Sequence, residues 1–198
     1  MLSAVTCMSR GALTRPLAFA LLLALGCTRA EPPAGAGAGA SGTPSAATLL
    51  TEPLREGSSA PAVTFPLHSG ETLSLASLKG KPVVVYFYPK DDTPGCTVEA
   101  QEIRDLHDDI KKTNAVVIGV SSDGPESHRA FVDKHQLPFL LASDESGSLA
   151  RAFGVPLKNG RAARVSFVIG ADGIIKRTFP NVTPKGHAAE LLTAIGSS

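Results

Sequence analysis

Residues Pro82 to Tyr88 read PVVVYFY, a run of β-branched and aromatic side chains with no charge in it. A strand of that texture has no face to give to water, so it belongs inside a sheet that is covered on both sides. The covering lies downstream. Apolar positions Ala100, Ile103, Leu106 and Ile110 recur at helical spacing across Pro94 to Lys112, and Ala115 to Val120 (AVVIGV) is a second buried strand. Pro125 to His135 reads as a helix, Phe139 to Ala142 as a short strand and Ser146 to Phe153 as a short helix. Val165 to Ile169 and Ile174 to Phe179 flank the turn Asp172-Gly173 as an antiparallel hairpin, and Gly186 to Ile195 follows as a helix. Upstream, Ala62 to Pro66 and Thr72 to Leu75 are short strands about the turn His68-Ser69-Gly70. This order predicts one α/β domain over 53–198, a mixed central β-sheet flanked by helices. With 43% hydrophobic and 19% charged residues, a chain of 198 residues can bury one such core.

The segment before the domain reads differently. Arg10 and Arg15 precede the apolar run Leu17 to Leu25 (LAFALLLAL), the layout of a secretory signal and too short to cross a bilayer. Ala24 to Cys27 (ALGC) resembles the lipobox of bacterial lipoproteins, which predicts a signal over 1–26 and a lipid on Cys27. The other reading is an ordinary cleaved signal with an incidental cysteine. Residues 27–52 are rich in Pro, Gly, Ala and Ser and read as a flexible tether with a reach of about 30 Å. The expected location is the cell envelope or periplasm, lipid-anchored, with Thr28 after the cysteine pointing to the outer membrane. Nineteen basic residues against 18 acidic ones leave no surplus of cations for nucleic acid. The three cysteines, Cys7, Cys27 and Cys96, fit neither a disulfide framework nor a zinc knuckle. Signal cleavage removes the first and lipidation the second, leaving Cys96 as the one free thiol.

Where the strand ends, a helix begins. The stretch YFYPKDDTPGCTVEAQ, Tyr86 to Gln101, has threonine in the N-cap position and proline at N1. Cys96 then falls at N3, where unpaired N–H groups and the helix dipole favour an anion, and so the thiolate that attacks electrophiles. Position alone leaves this open against an inert, buried cysteine. The pattern Pro89-x-x-x-Thr93-x-x-Cys96 resembles the active-site signature of peroxiredoxins, and YFYPKDDTPGCT is similar to their bacterioferritin-comigratory-protein, or peroxiredoxin Q, branch. The order of elements is likewise that of a thioredoxin-like fold.

The resemblance implies a peroxidase that reduces hydrogen peroxide and organic hydroperoxides through a sulfenic acid on Cys96, with no cofactor. It implies that Thr93 directs its hydroxyl at the sulfur and the peroxide, that Pro89 shields the loop, and that Arg164 in RVSF stabilises the leaving oxygen. Glu99, one turn beyond Cys96, either orients Arg164 by an ion pair or is a solvated helix carboxylate. Arg161 reads as solvated. Phe87, Tyr88, Phe139 and Phe153 line the peroxide pocket or pack the core.

One departure from the branch matters. Many members carry a second, resolving cysteine five residues after the first, and here that position is Gln101. The resemblance then implies a one-cysteine cycle closed by an external thiol, from a thioredoxin-like protein or a small molecule, in a monomer or weak homodimer. An unlipidated Cys27 on the tether is the exception. The competing readings are a peroxide sensor, a copper-handling module, which expects a cysteine at Ala100, and a disulfide oxidoreductase, which expects one at Glu99. His68, His107, His128, His135 and His187 show no i, i+4 pairing and no metal-ligand spacing, and His107 belongs on the flank of its helix. Asp108, Asp109, Lys111 and Lys112 read as a solvated helix end, and Asn181-Val182-Thr183 meets the glycosylation pattern without a context for it.

Overall fold

The strand expected at the centre is there, buried at every position from Val83 to Phe87. The computed structural model describes residues 52–197, so the expected signal, Cys7, Cys27 and the tether up to residue 51 lie outside the described residues. In chain order the elements are β1 (Thr64–Pro66), β2 (Thr72–Ser74), a single 3-10 turn (Leu75–Leu78), β3 (Val83–Phe87), α1 (Pro94–Asp105), α2 (His107–Lys112), β4 (Val116–Ser121), α3 (Pro125–His135), β5 (Leu140–Ser143), α4 (Ser148–Ala152), β6 (Leu157–Lys158), β7 (Arg161–Ala162), β8 (Val165–Ile169), β9 (Ile175–Phe179) and α5 (His187–Gly196).

Five strands make one sheet in the order β5-β4-β3-β8-β9. β3, β4 and β5 run parallel, while β8 is antiparallel to β3 with Val165 opposite Phe87. The carboxyl ends of three strands and the start of a fourth therefore share one edge. Loops leaving that edge are where an open α/β sheet presents its chemistry.

The period-two alternation of β3 sends its side chains into two different cores. Val84, Tyr86 and Tyr88 point into one with Ile103, Ile110, Phe131 and Leu191, contributed by α1, α2, α3 and α5. Val83, Val85 and Phe87 point into the other, with Phe65, Leu149, Phe153 and Phe167, under the β1–β2 hairpin and α4. The mixed, doubly covered sheet is as predicted.

Two details differ. The helix expected over Pro94 to Lys112 is broken at Leu106, whose φ of −98° and ψ of 4° leave helical geometry for one residue before α2 begins. Apolar spacing continues across the break, since Ile110 still donates to the Leu106 carbonyl and is fully buried, so periodicity cannot reveal the bend. A small hairpin, β6–β7, was not expected at all. Its turn is Asn159-Gly160 with φ of 52° and 75°, the pair of left-handed residues that a two-residue hairpin turn requires.

Candidate active site

Thr93 caps α1 with an extended backbone, φ −80° and ψ 147°, yet its side chain makes no capping bond. The hydroxyl lies instead 2.8 Å from Cys96 Sγ and 3.1 Å from the Lys90 carbonyl oxygen. One proton serves two neighbours. When the sulfur is a thiol, its S–H can donate to Thr93 Oγ1 while that hydroxyl donates to Lys90; when it is a thiolate, the hydroxyl swings to the sulfur. With Pro94 at N1 and Gly95 at N2, Cys96 stands at N3 and is 2% exposed. Its own N–H belongs to the unpaired first turn of the helix.

Arg164 reaches the sulfur from the other side. The β3–β8 register ends at the Phe87–Val165 pair, so Arg164 stands beside the loop that leaves β3. Its Nη2 donates to Cys96 Sγ at 3.0 Å and its Nη1 to Glu99 Oε2 at 2.5 Å. The guanidinium fork thus spans a sulfur and a buried carboxylate, a geometry that a lysine cannot reproduce. Glu99 is 1% exposed and not a solvated helix carboxylate. Burial pushes its carboxyl up to about 7, with Arg164 pulling the opposite way. Among the described residues its second oxygen, Oε1, has no hydrogen-bond partner, and neither does the buried Tyr86 hydroxyl. Burial, reinforced by the charge of Glu99, raises the Tyr86 phenol well above its ordinary range. Pro89 is half-buried at the end of β3 and Arg161 is exposed in β7.

The site therefore holds a thiol at the mouth of a helix between a hydroxyl and a guanidinium, both aimed at its sulfur. The profile of the AhpC/TSA family fits residues 57–178. The chain belongs to the AhpC/TSA family. Within that peroxiredoxin family it resembles chloroplastic peroxiredoxin Q of Populus jackii, 42% identical over 147 residues, which cover 73% of this chain and 69% of the relative. Among solved structures, Xylella fastidiosa PrxQ superposes with a TM-score of 0.69 at 30% identity, over 73% of this chain and 96% of that one. Xanthomonas campestris bacterioferritin comigratory protein does so with a TM-score of 0.64 at 33% identity, over 68% and 90%. The fold is thioredoxin-like and the activity is that of a thiol peroxidase, an oxidoreductase of a family that acts on hydroperoxides with a thioredoxin-type reductant.

The two cores decide part of the aromatic reading. Phe87 and Phe153 lie in the core on the far face of the sheet from Cys96 and cannot line a peroxide pocket. Alternation along β3 dictates this, because Phe87 is one residue out of phase with Tyr86 and Tyr88. Tyr88 and Phe139 share the core that holds Cys96. Gln101 is half-buried, and its amide lies 3.3 Å from His135 Nδ1. His107 opens α2 on its flank, with its ring 6.3 Å from that of Phe139.

Two acids in the loop were missed. Asp91 is buried and accepts hydrogen bonds from Tyr88 and Ser127 at 2.7 Å each, with His128 Nδ1 at 2.9 Å. Burial pushes the Asp91 carboxyl up, but His128, Tyr88 and Ser127 together hold it below its usual value. Its N–H also donates to Asp123, tying the β3 loop to the β4 loop. Asp92 pairs with Lys134 and His135. His128 and His135 are seven residues apart on α3, two turns, so both face the loop. A search for i, i+4 pairs overlooks that spacing.

Two predictions arise here. A Cβ on Gly95 would sit 2.9 Å from Arg164 Nη2, the atom that contacts the sulfur. Gly95→Ala should therefore displace a flexible arginine tip rather than the helix. The helix itself gains up to about 1 kcal/mol from the exchange. Peroxidase turnover is expected to fall roughly tenfold with an unchanged or raised melting temperature; equal turnover would show that the arginine does not need that approach.

The second concerns pH. Glu99 has a folded value of about 7 against an ordinary 4.5, so the folded state binds this proton more tightly than the unfolded state. The corresponding stability, about 3 kcal/mol, is fully present below the ordinary value and lost as pH rises through the folded one. Glu99→Gln, which cannot ionise, should not show that loss. Urea unfolding of both proteins across this range should give stabilities that diverge as pH rises; parallel curves would contradict the assignment.

Proposed function

We propose that this chain is a one-cysteine, lipid-anchored peroxiredoxin in which Cys96 is the peroxidatic nucleophile. The observation that carries the reading is the convergence of Thr93 Oγ1 and Arg164 Nη2 on the Cys96 sulfur. The thiolate attacks one oxygen of R–O–O–H, the O–O bond breaks, and Cys96 becomes a sulfenic acid. RO⁻ leaves and takes up a proton to give an alcohol, or water when R is hydrogen. Arg164 and the Cys96 N–H stabilise the charge that moves onto the oxygens. The Xanthomonas relative is described by its alkyl peroxide reduction activity, and the same substrate class is proposed here beside hydrogen peroxide.

Resolution falls to an external thiol because Gln101 offers no sulfur. Cys96–S–OH and R′–SH give Cys96–S–S–R′ and water, and a second thiol releases Cys96 as the thiol with R′–S–S–R″. A lipid on Cys27 would hold the domain in the cell envelope, on the outer membrane, as a monomer or weak homodimer at the end of its tether. The test is intact-mass analysis of the full protein purified from membranes, before and after one equivalent of peroxide and then one of thiol. The expected result is lipid on Cys27, one added oxygen on Cys96 and its conversion to a mixed disulfide. Loss of two hydrogens instead, marking an internal disulfide, would overturn the one-cysteine reading, and a Cys27 without lipid would overturn the anchor.

A further inference from the structure

We propose that His187 is a positioning residue for peroxide reduction: it fastens the loop 180–186 to Ser166, and that loop holds Arg164 where its guanidinium meets the Cys96 sulfur. The inference rests on the reading above of Arg164 as a group that stabilises the departing oxygen. It starts from two side chains that the core does not call for. β8 reads VSFVI, and the buried face of α5 is His187, Ala188, Leu191 and Ile195, so a serine and a histidine interrupt otherwise apolar surfaces. Both are fully buried. A buried hydrogen bond can be exchanged for apolar groups of the same shape at little or no cost, so stability alone gives no reason for the pair.

The pair is built as a clasp. His187 Nε2 lies 2.9 Å from Ser166 Oγ, and its Nδ1 lies 2.9 Å from Glu190 Oε2. Burial pushes the imidazole below its ordinary range, with Glu190 and Glu102 pulling the opposite way. The ring is therefore neutral at neutral pH: Nδ1–H donates to Glu190, and Nε2 accepts from the Ser166 hydroxyl. Phe179, the residue before the loop, is the register partner of the same Ser166, and its ring meets that of His187 edge-on at 5.1 Å. Both ends of the loop thus converge on one residue.

Between those ends the chain passes along Arg164. The arginine precedes β8 by one residue, beyond the pairing that fixes the strand, and its carbonyl oxygen accepts from the Val182 N–H at 3.4 Å. Pro184 faces Gly95. A Cβ on that glycine would lie 3.4 Å from Pro184 Cγ and 2.9 Å from Arg164 Nη2, so the proline ring and the guanidinium flank the same residue. Gly186 N–H then donates to Glu102 Oε2 at 2.6 Å, tying the end of the loop to α1, the helix that carries Cys96. A shift of the loop moves the backbone of Arg164 and the wall beside its tip together. Arg164 Nη2 reaches the sulfur at 3.0 Å, and a displaced donor costs rate before it costs fold.

The test follows oxidation of Cys96 by hydrogen peroxide in the reduced full chain, read by mass on the Cys96 peptide so that no reductant step enters. His187→Gln puts an amide where Nε2 stands and keeps the bond to Ser166, whereas His187→Asn puts one where Nδ1 stands and keeps only the bond to Glu190. The glutamine variant should oxidise within about threefold of wild type and the asparagine variant roughly tenfold more slowly. Ser166→Ala removes the bond from the other side and should match the asparagine variant; it decides if the His187 variants do not fold. In an Arg164→Leu background each of these substitutions should change the rate by less than about twofold, because the group they misplace is already gone. Equal rates for the glutamine and asparagine variants, or the same loss with and without Arg164, would overturn the clasp. If Arg164→Leu by itself oxidises like wild type, the reading of Arg164 falls and the clasp with it. If it is slow while His187→Asn and Ser166→Ala keep the wild-type rate, the clasp alone falls.

Discussion

Cys96→Ser is expected to abolish peroxidase turnover while leaving the domain folded. Serine fits the cavity, and its hydroxyl can still exchange hydrogen bonds with Thr93 Oγ1 and Arg164 Nη2, the two groups that face the sulfur. No buried donor is stranded, so the stability change should stay within about 1 kcal/mol. Chemistry behaves otherwise. An alcohol is nearly un-ionised at neutral pH, and its oxygen cannot take up the peroxide oxygen as sulfur does, so the loss should be at least about 10⁴-fold. Peroxide consumption with a thiol donor, set beside a thermal unfolding curve, checks both halves. Turnover above about one hundredth of the wild-type rate would place the nucleophile elsewhere. Full loss of activity together with loss of the folded state would show Cys96 to be a packing residue first.

The contrast between fold and site explains how much of each was legible. Doubly covered strands followed from the runs PVVVYFY and AVVIGV, because burial on both faces leaves a compositional mark. The helix start at Thr93-Pro94 was equally plain, since capping chemistry is local. What the threonine side chain does was legible only through resemblance: its hydroxyl forgoes the cap for a sulfur three residues away. Glu99 remained ambiguous because its burial depends on Arg164, 65 residues distant. The Asp91–His128 and Asp92–His135 pairs bridge 37 and 43 residues, and no local pattern reports a contact of that span. Their signal was present in another form, as two histidines on one helical face and two adjacent aspartates in the loop opposite. The Asn159-Gly160 turn was readable and was passed over because strands of two residues carry no alternation to recognise.

Arg164→Leu is expected to cost roughly 10²–10³-fold in turnover, the magnitude of losing one preorganised group that stabilises charge in a transition state. Its effect on stability decides whether the arginine is present for structure or for chemistry. Stripping one partner from a buried ion pair commonly costs about 3–5 kcal/mol when the other is left charged. Glu99 has a way out, because burial has already raised its carboxyl to about 7. Without the guanidinium it should hold its proton to still higher pH, so the loss at neutral pH should be nearer 1–2 kcal/mol, roughly half the usual figure. Below the ordinary carboxyl value Glu99 is neutral with or without Arg164, and the two proteins should approach each other in stability. Arg164→Lys supplies the control. It keeps the charge but cannot donate to Glu99 and Cys96 at once, so turnover should fall between wild type and the leucine variant. Measuring peroxide turnover and urea unfolding for both variants at acid and neutral pH separates the roles. A leucine variant as active as wild type would remove Arg164 from the chemistry, whatever its stability.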